Sequence, residues 1–98
     1  MAEGDLAGAL KSYRDTFTII DRLAKADPGH TGWQRDLAVS FSELALVHKQ
    51  SGDKAKALDS LQQAQAIMAG LTKLSPDNAT WKQDLTWFDG QIAELAER

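Results

Sequence analysis

The feature that most constrains this chain is an internal repeat with a spacing of 48 residues. The segment GDLAGAL at 4–10 recurs as GDKAKAL at 52–58, and DPGHTGWQRDL at 27–37 recurs as SPDNATWKQDL at 75–85. Both pairs share one register, and an ungapped alignment of the two copies is identical at 14 of 47 positions. Two separate motifs in one register indicate a duplicated structural unit rather than a chance similarity.

The two copies, 4–50 and 52–98, fill almost the whole chain of 98 residues, which is the length of one domain. Only two prolines and few clusters of β-branched residues occur, so the composition favours helices over strands. The chain has no cysteine, which excludes disulfides and thiolate metal ligands. A single all-α domain over residues 1–98 is therefore predicted.

The charge balance and the hydropathy argue against two classes of partner. The net charge is −3 and Lys and Arg form no basic run, so no nucleic-acid partner is expected. No apolar run approaches the roughly 18 residues of a membrane span, and no signal peptide is recognisable after Met1. No membrane partner is expected, and a cytoplasmic protein is favoured.

Apolar residues recur at steps of three and four along four segments, which predicts four amphipathic helices. Their expected bounds are about 5–26, 31–50, 53–74 and 79–97. The connectors between them are about two to five residues long, so consecutive helices should run antiparallel as helical hairpins.

The residues at the predicted helix ends agree with these bounds. The expected N-caps are Asp5, Asp53 and Asn78. Gly52 suits the left-handed turn that commonly ends a helix, and Pro28 bars continuation of helix one. Thr31 with Gln34 three residues later has the form of a capping box at the start of helix two.

The middle of the chain resembles the tetratricopeptide repeat. That family's pattern places large, small and aromatic residues on a first helix, a glycine at the turn, and a small–large–small series before a closing proline. The matching residues are Phe41, Leu44, Ala45, His48, Gly52, Ala57, Leu61, Ala64 and Pro76. The first copy supplies Ala9, Tyr13, Thr16 and Pro28 to the same places. The resemblance implies a right-handed helical repeat of four long helices.

The spacing of 48 residues is longer than the family's usual 34. Two additions of seven residues account for the difference, one in each helix of the unit. Seven residues are close to two α-helical turns, so each addition keeps the helix faces in phase. The chain therefore resembles a long-helix variant, of the kind found in multi-repeat bacterial proteins.

No residue pattern indicates catalysis or metal binding. The only two histidines are His30, in a connector, and His48, at a packing place of the repeat. Neither has a recognisable nucleophile beside it, and two separated histidines do not form a metal site. Asp36 and Asp84 occupy equivalent early turns of helices two and four, where a carboxylate suits the helix dipole. The chain is expected not to be an enzyme and to need no cofactor.

The resemblance also implies a site, because in that family the first helix of each unit lines a groove for partner segments. On helix two the corresponding residues are Arg35, Val39, Ser42, Leu46 and Lys49. On helix four they include Gln83, Trp87 and Glu94. Arg35 and Lys49 would pair with acidic groups of a partner, and Leu46 and Trp87 would supply apolar contact.

Trp87 leaves two interpretations open, since it is either part of such a surface or simply part of a wider core. The function predicted from these residues is a non-catalytic protein–protein interaction scaffold that docks a partner peptide or helix. The alternative is a structural module that assembles with copies of itself, as a homo-oligomer or as part of a longer array, through the open faces of helices one and four.

Overall fold

A computed structural model describes residues 3–97, and the side chains of residues 6–97. Its four helices are α1 Glu3–Ala26, α2 Thr31–Gln50, α3 Lys54–Leu74 and α4 Ala79–Ala96. The described residues contain no strand, so the protein is all-α, as predicted. Each helix begins and ends within two residues of the bound expected from the apolar periodicity.

Two of the expected caps form. The side chain of Asp53 accepts a hydrogen bond from the Lys56 N–H at 3.1 Å, and Asn78 accepts one from the Trp81 N–H at 3.0 Å. Gly52 has a φ angle of +83°, the left-handed conformation that an L side chain rarely adopts. Asp5 does not cap α1, because the helix already begins at Glu3.

The capping box expected at the start of α2 is wrong, because His30 caps this helix instead of Thr31. Its Nδ1 accepts a hydrogen bond from the Trp33 N–H at 3.0 Å. The imidazole also stacks on the Trp33 ring, with the centroids 4.0 Å apart. Gln34 donates its amide to the carbonyl oxygen of Ala24 at 3.2 Å, which fastens the end of α1 to the start of α2. His30 thus does in the first copy what Asn78 does in the second.

Replacing His30 with alanine is expected to lower the free energy of unfolding by about 1 kcal/mol, because the Trp33 N–H loses its acceptor. His30→Asn is the matched control, since asparagine is the cap in the second copy and should retain most of the stability. Urea unfolding followed by circular dichroism measures both changes. Equal losses in the two variants would show that ring stacking, and not the cap, is what His30 contributes.

The helices pack in chain order, α1 on α2, α2 on α3 and α3 on α4. Within residues 3–97, helices that are not consecutive in the chain make no comparable backbone contact. The core lies around α3, where Ala57, Ala64 and Met68 are fully buried. The rest of this cluster comes from α2 and α4 as well as α3, and consists of Ala38, Ala45, Leu61, Leu71, Phe88 and Leu95. Both α2 and α3 have a neighbouring helix on two sides, and these two helices carry most of the buried residues.

Candidate protein-interaction groove

A cleft lies between α2 and α4, with α3 beneath it. Its cavity has a volume of about 210 Å³. Its lining consists of Ser42, Glu43, Ala45, Leu46, Lys49, Leu61, Trp87, Gln91 and Leu95. We call this cavity the α2–α4 groove. Leu61, Ala45 and Leu95 are buried core residues, so the floor of the groove is the surface of the core itself.

Four of the eight residues expected at a binding surface line this groove, namely Ser42, Leu46, Lys49 and Trp87. The other four do not line it. Val39 is exposed on α2, and Gln83 borders a second depression together with Trp87. Glu94 is exposed near the end of α4. Arg35 is occupied by a contact within the chain, described below.

Sequence reasoning missed two polar residues of the lining, Glu43 and Gln91. They occupy equivalent positions in the two copies, 48 residues apart. Equivalent positions on α2 and α4 point into the same cleft. The repeat could therefore have been used to predict that Glu43 and Gln91 line the groove. Both side chains are partly buried.

The groove presents two large apolar side chains to solvent. Leu46 is 46% exposed and Trp87 is 52% exposed. The Trp87 ring meets the ring of buried Phe88 edge-on, with the centroids 5.2 Å apart. Trp87 is therefore not a core residue, although one edge of it is supported by the core. An anchored, half-exposed tryptophan is the type of side chain that most often dominates binding energy at protein interfaces.

An ion pair joins the two helices that form the groove. Arg35 Nε lies 2.8 Å from one carboxylate oxygen of Asp84, and its Nη2 lies 3.5 Å from the other. The hydrogen bond to Asp84 raises the pKa of Arg35. Since both residues lie in the early turns of their helices, the pair ties these ends of α2 and α4 together. Arg35 was expected to meet acidic groups of a partner, but its guanidinium is already neutralised within the chain.

Glu43 and Lys49 are the charged residues that line the groove. Neither forms an ion pair with another residue of the part of the chain that the structure describes. They are six residues apart on α2, which corresponds to about 9 Å along a helix axis. The groove thus has an acidic and a basic position beside its apolar surface.

His48 lies near the end of α2 and is partly buried. Burial lowers its pKa, the carboxylate of Asp53 acts in the opposite direction, and the positive charges of Lys56 and Arg14 add to the lowering. The folded protein therefore binds a proton at this site more weakly than the unfolded chain does.

The free energy of unfolding is expected to fall as the pH decreases through the ordinary histidine range near 6.5. The sign follows because the unfolded chain takes up the His48 proton at a higher pH than the folded chain. The fall should end below the lowered pKa, where both states are protonated. Urea unfolding at pH 7.5 and at lower pH values measures it, and the decrease should be smaller in His48→Gln. An equal decrease in that variant would assign the pH dependence to other groups.

Among residues 3–97 no group of three His, Asp or Glu side chains is placed to hold a metal ion. The helices of this part of the chain also lack the apolar length required to traverse a lipid bilayer. Comparison of the chain with protein-family models, with curated proteins and with solved structures found no match. Over residues 3–97 the fold is all-α and consists of four helices.

Proposed function

We propose that this chain is a non-catalytic interaction module of the tetratricopeptide type, which docks a peptide or helix of a protein partner in the α2–α4 groove. The observation that carries the proposal is the pair Leu46 and Trp87, exposed in one cavity between two helices that occupy equivalent positions in the repeat. Exposed apolar side chains that meet in a concavity are typical of protein-binding surfaces.

The size of the groove suits one bulky apolar side chain of a partner. Its volume is about 210 Å³. An apolar cavity of about 150 Å³ is large enough to hold a benzene molecule. A leucine, isoleucine or phenylalanine side chain of the partner would therefore lie against Leu46 and the face of the Trp87 indole. Burial of these apolar surfaces would provide most of the binding free energy.

The charged residues of the groove would orient the partner. A basic group of the partner would lie near Glu43 and an acidic group near Lys49, on either side of the apolar anchor. Exposed pairs of this kind contribute little affinity, about 0–1 kcal/mol each, but they discriminate between the two directions of a bound segment. The preferred partner thus carries a basic residue, a large apolar residue and an acidic residue in that spatial order.

The packing order of the helices supports the tetratricopeptide arrangement. A repeat of this kind stacks each helix on its neighbour in the chain, so that alternate helices line one face. Here α2 and α4 line the groove and α3 packs beneath them. Small buried residues on α2 and α3, among them Ala45 and Ala57, agree with the family's pattern.

A selection from a random peptide library displayed on phage tests the proposal. Peptides are selected on the immobilised protein and then measured individually against the wild-type chain and Trp87→Ala. We expect selected peptides to share a large apolar residue flanked by opposite charges, and to lose binding to the variant. Peptides that bind both proteins equally well would place the interaction outside the groove and contradict the proposal.

Self-assembly is the second candidate function, and a separate observation favours it. On the outer faces of α1 and α4, the side chains of Ile19, Leu23 and Ala93 are exposed.

A further inference from the structure

One face of α3 is covered by α2. Its residues follow one another at steps of three and four, and are Ala57, Ser60, Ala64, Ile67 and Leu71. Four of them are buried and Ile67 is partly buried. Ile67 and Leu71 line a cavity together with Gln34 at the start of α2 and with Pro28 before it. This face is therefore the one that α3 presents to the preceding helix.

The first copy of the repeat carries the same face on α1. Its residues are Ala9, Ser12, Thr16, Ile19 and Leu23, and four of the five are identical to their counterparts on α3. None of them is buried. Leu23 is 37% exposed, whereas its counterpart Leu71 is 4% exposed. We call this set the α1 open face, since it retains the residues of a helix-packing surface and four of its five residues are exposed.

The α4 helix carries the complementary surface. Towards α3, α2 presents Ala38, Phe41 and Ala45. Their counterparts on α4, which we call the α4 open face, are Thr86, Asp89 and Ala93, and all three are exposed. The Thr86 hydroxyl donates to the carbonyl oxygen of Lys82 at 3.0 Å, so it can be covered without losing a hydrogen bond. Ala93, like Ala45, is small enough for a close approach of two helices.

We infer that a second copy of this chain docks its α1 open face on the α4 open face, in the way that α3 packs on α2. By this template, Leu23 of the second copy lies against Pro76 and the aliphatic part of Lys82, the counterparts of Pro28 and Gln34. The two surfaces are different, so the contact is heterologous and leaves one open face free at each end. Copies therefore add head to tail. The surfaces that join them are the two open faces and not the α2–α4 groove.

The ion pair between α2 and α4 predicts a second contact between the two copies. Arg35 pairs with Asp84 within the chain, and Asp84 is the counterpart of Asp36. Across the proposed contact, Gln83 occupies the place of Arg35 and faces Asp36 of the second copy. The glutamine amide can donate a hydrogen bond to that carboxylate, although it brings no charge. Asp89 in the place of Phe41 reduces the apolar area, so the association is weak.

Sedimentation equilibrium of the whole chain over a concentration series, from about 10 μM to about 1 mM, tests the inference. The mass of the wild-type protein is expected to rise with concentration beyond that of a dimer. Leu23→Glu damages one face and Ala93→Glu damages the other, and each variant alone is expected to stay monomeric. Mixed in equal amounts they should form a dimer and nothing larger, because each supplies the face that the other lacks. Circular dichroism verifies that both variants are folded.

Leu74→Glu is the matched control, because Leu74 is 72% exposed and its counterpart Ala26 lies outside the α1 open face. This variant should associate like the wild type. A wild-type chain that remains monomeric throughout the series overturns the inference, as does a mixture of the two variants that forms no dimer. If Leu74→Glu abolished the association as Leu23→Glu and Ala93→Glu do, the association would be non-specific. That result would also overturn the inference.

The variant Gln83→Arg tests which residues of the two copies face each other. It places an arginine on α4 at the position equivalent to Arg35 on α2. This variant is expected to tighten the association about fivefold, the worth of an exposed ion pair. Combining it with Asp36→Asn should remove that gain. A gain that persists in the double variant would show that α4 does not meet α2 of the second copy in the proposed register.

Discussion

Replacing Met68 with alanine is expected to lower the free energy of unfolding by about 3 kcal/mol, a loss typical of a fully buried core residue. Met68 is fully buried on α3, where helices pack from both sides. Removing its side chain leaves a cavity in addition to the lost apolar burial. For a domain of this length the melting temperature should fall by roughly 12–24 °C.

Ile20→Ala is the matched control, because Ile20 is the counterpart of Met68 in the first copy and is only partly buried. Its expected cost is about 1 kcal/mol, since less apolar surface is returned to water. Urea unfolding of both variants, followed at 222 nm, measures the difference. Similar losses at the two positions would mean that α1 is covered as fully as α3, contrary to the packing order described above.

The second large effect is expected at Trp87. Truncation to alanine should weaken a peptide selected on this protein by roughly 30- to 100-fold, the range of an aromatic hot spot. The indole is 52% exposed, so its removal should change the free energy of unfolding by less than about 1 kcal/mol. Fluorescence anisotropy of the labelled peptide measures the affinity, and urea unfolding measures the stability.

Two further variants test whether the loss of affinity is specific to the groove. Leu46→Ala should weaken the same peptide about tenfold, because Leu46 lies in the same groove. Leu74→Ala removes a still more exposed leucine that does not line the groove, and it should leave the affinity unchanged. If Leu74→Ala weakened the peptide as much as Trp87→Ala, the binding would depend on exposed apolar surface in general and not on this groove.

The helices themselves could be predicted from the sequence because their determinants are local. Apolar periodicity defined the four segments, and Asp53, Asn78 and Gly52 defined their ends. The error at the start of α2 is also local, since Thr31 and His30 compete for one cap. The structure resolves the competition in favour of His30, whose ring both accepts the Trp33 N–H and stacks on the Trp33 ring.

What the sequence did not provide is the extent to which equivalent positions are covered. Leu23 and Leu71 are the same residue at the same place in the repeat, yet only one of them is buried. That difference depends on whether a further helix lies alongside, which no local pattern encodes. The pairing of Arg35 with Asp84 was missed for the same reason, since it depends on the distance between two helices that are not consecutive in the chain.

We propose that α2 and α4 together form one binding surface. The most direct test is to titrate the isotope-labelled protein with a selected peptide and map the changes in its amide and indole NMR signals. We predict that the largest changes fall on Leu46, Lys49, Gln91 and the indole N–H of Trp87, on both helices at once. Changes confined to α1, or to the outer side of α3, would contradict the claim.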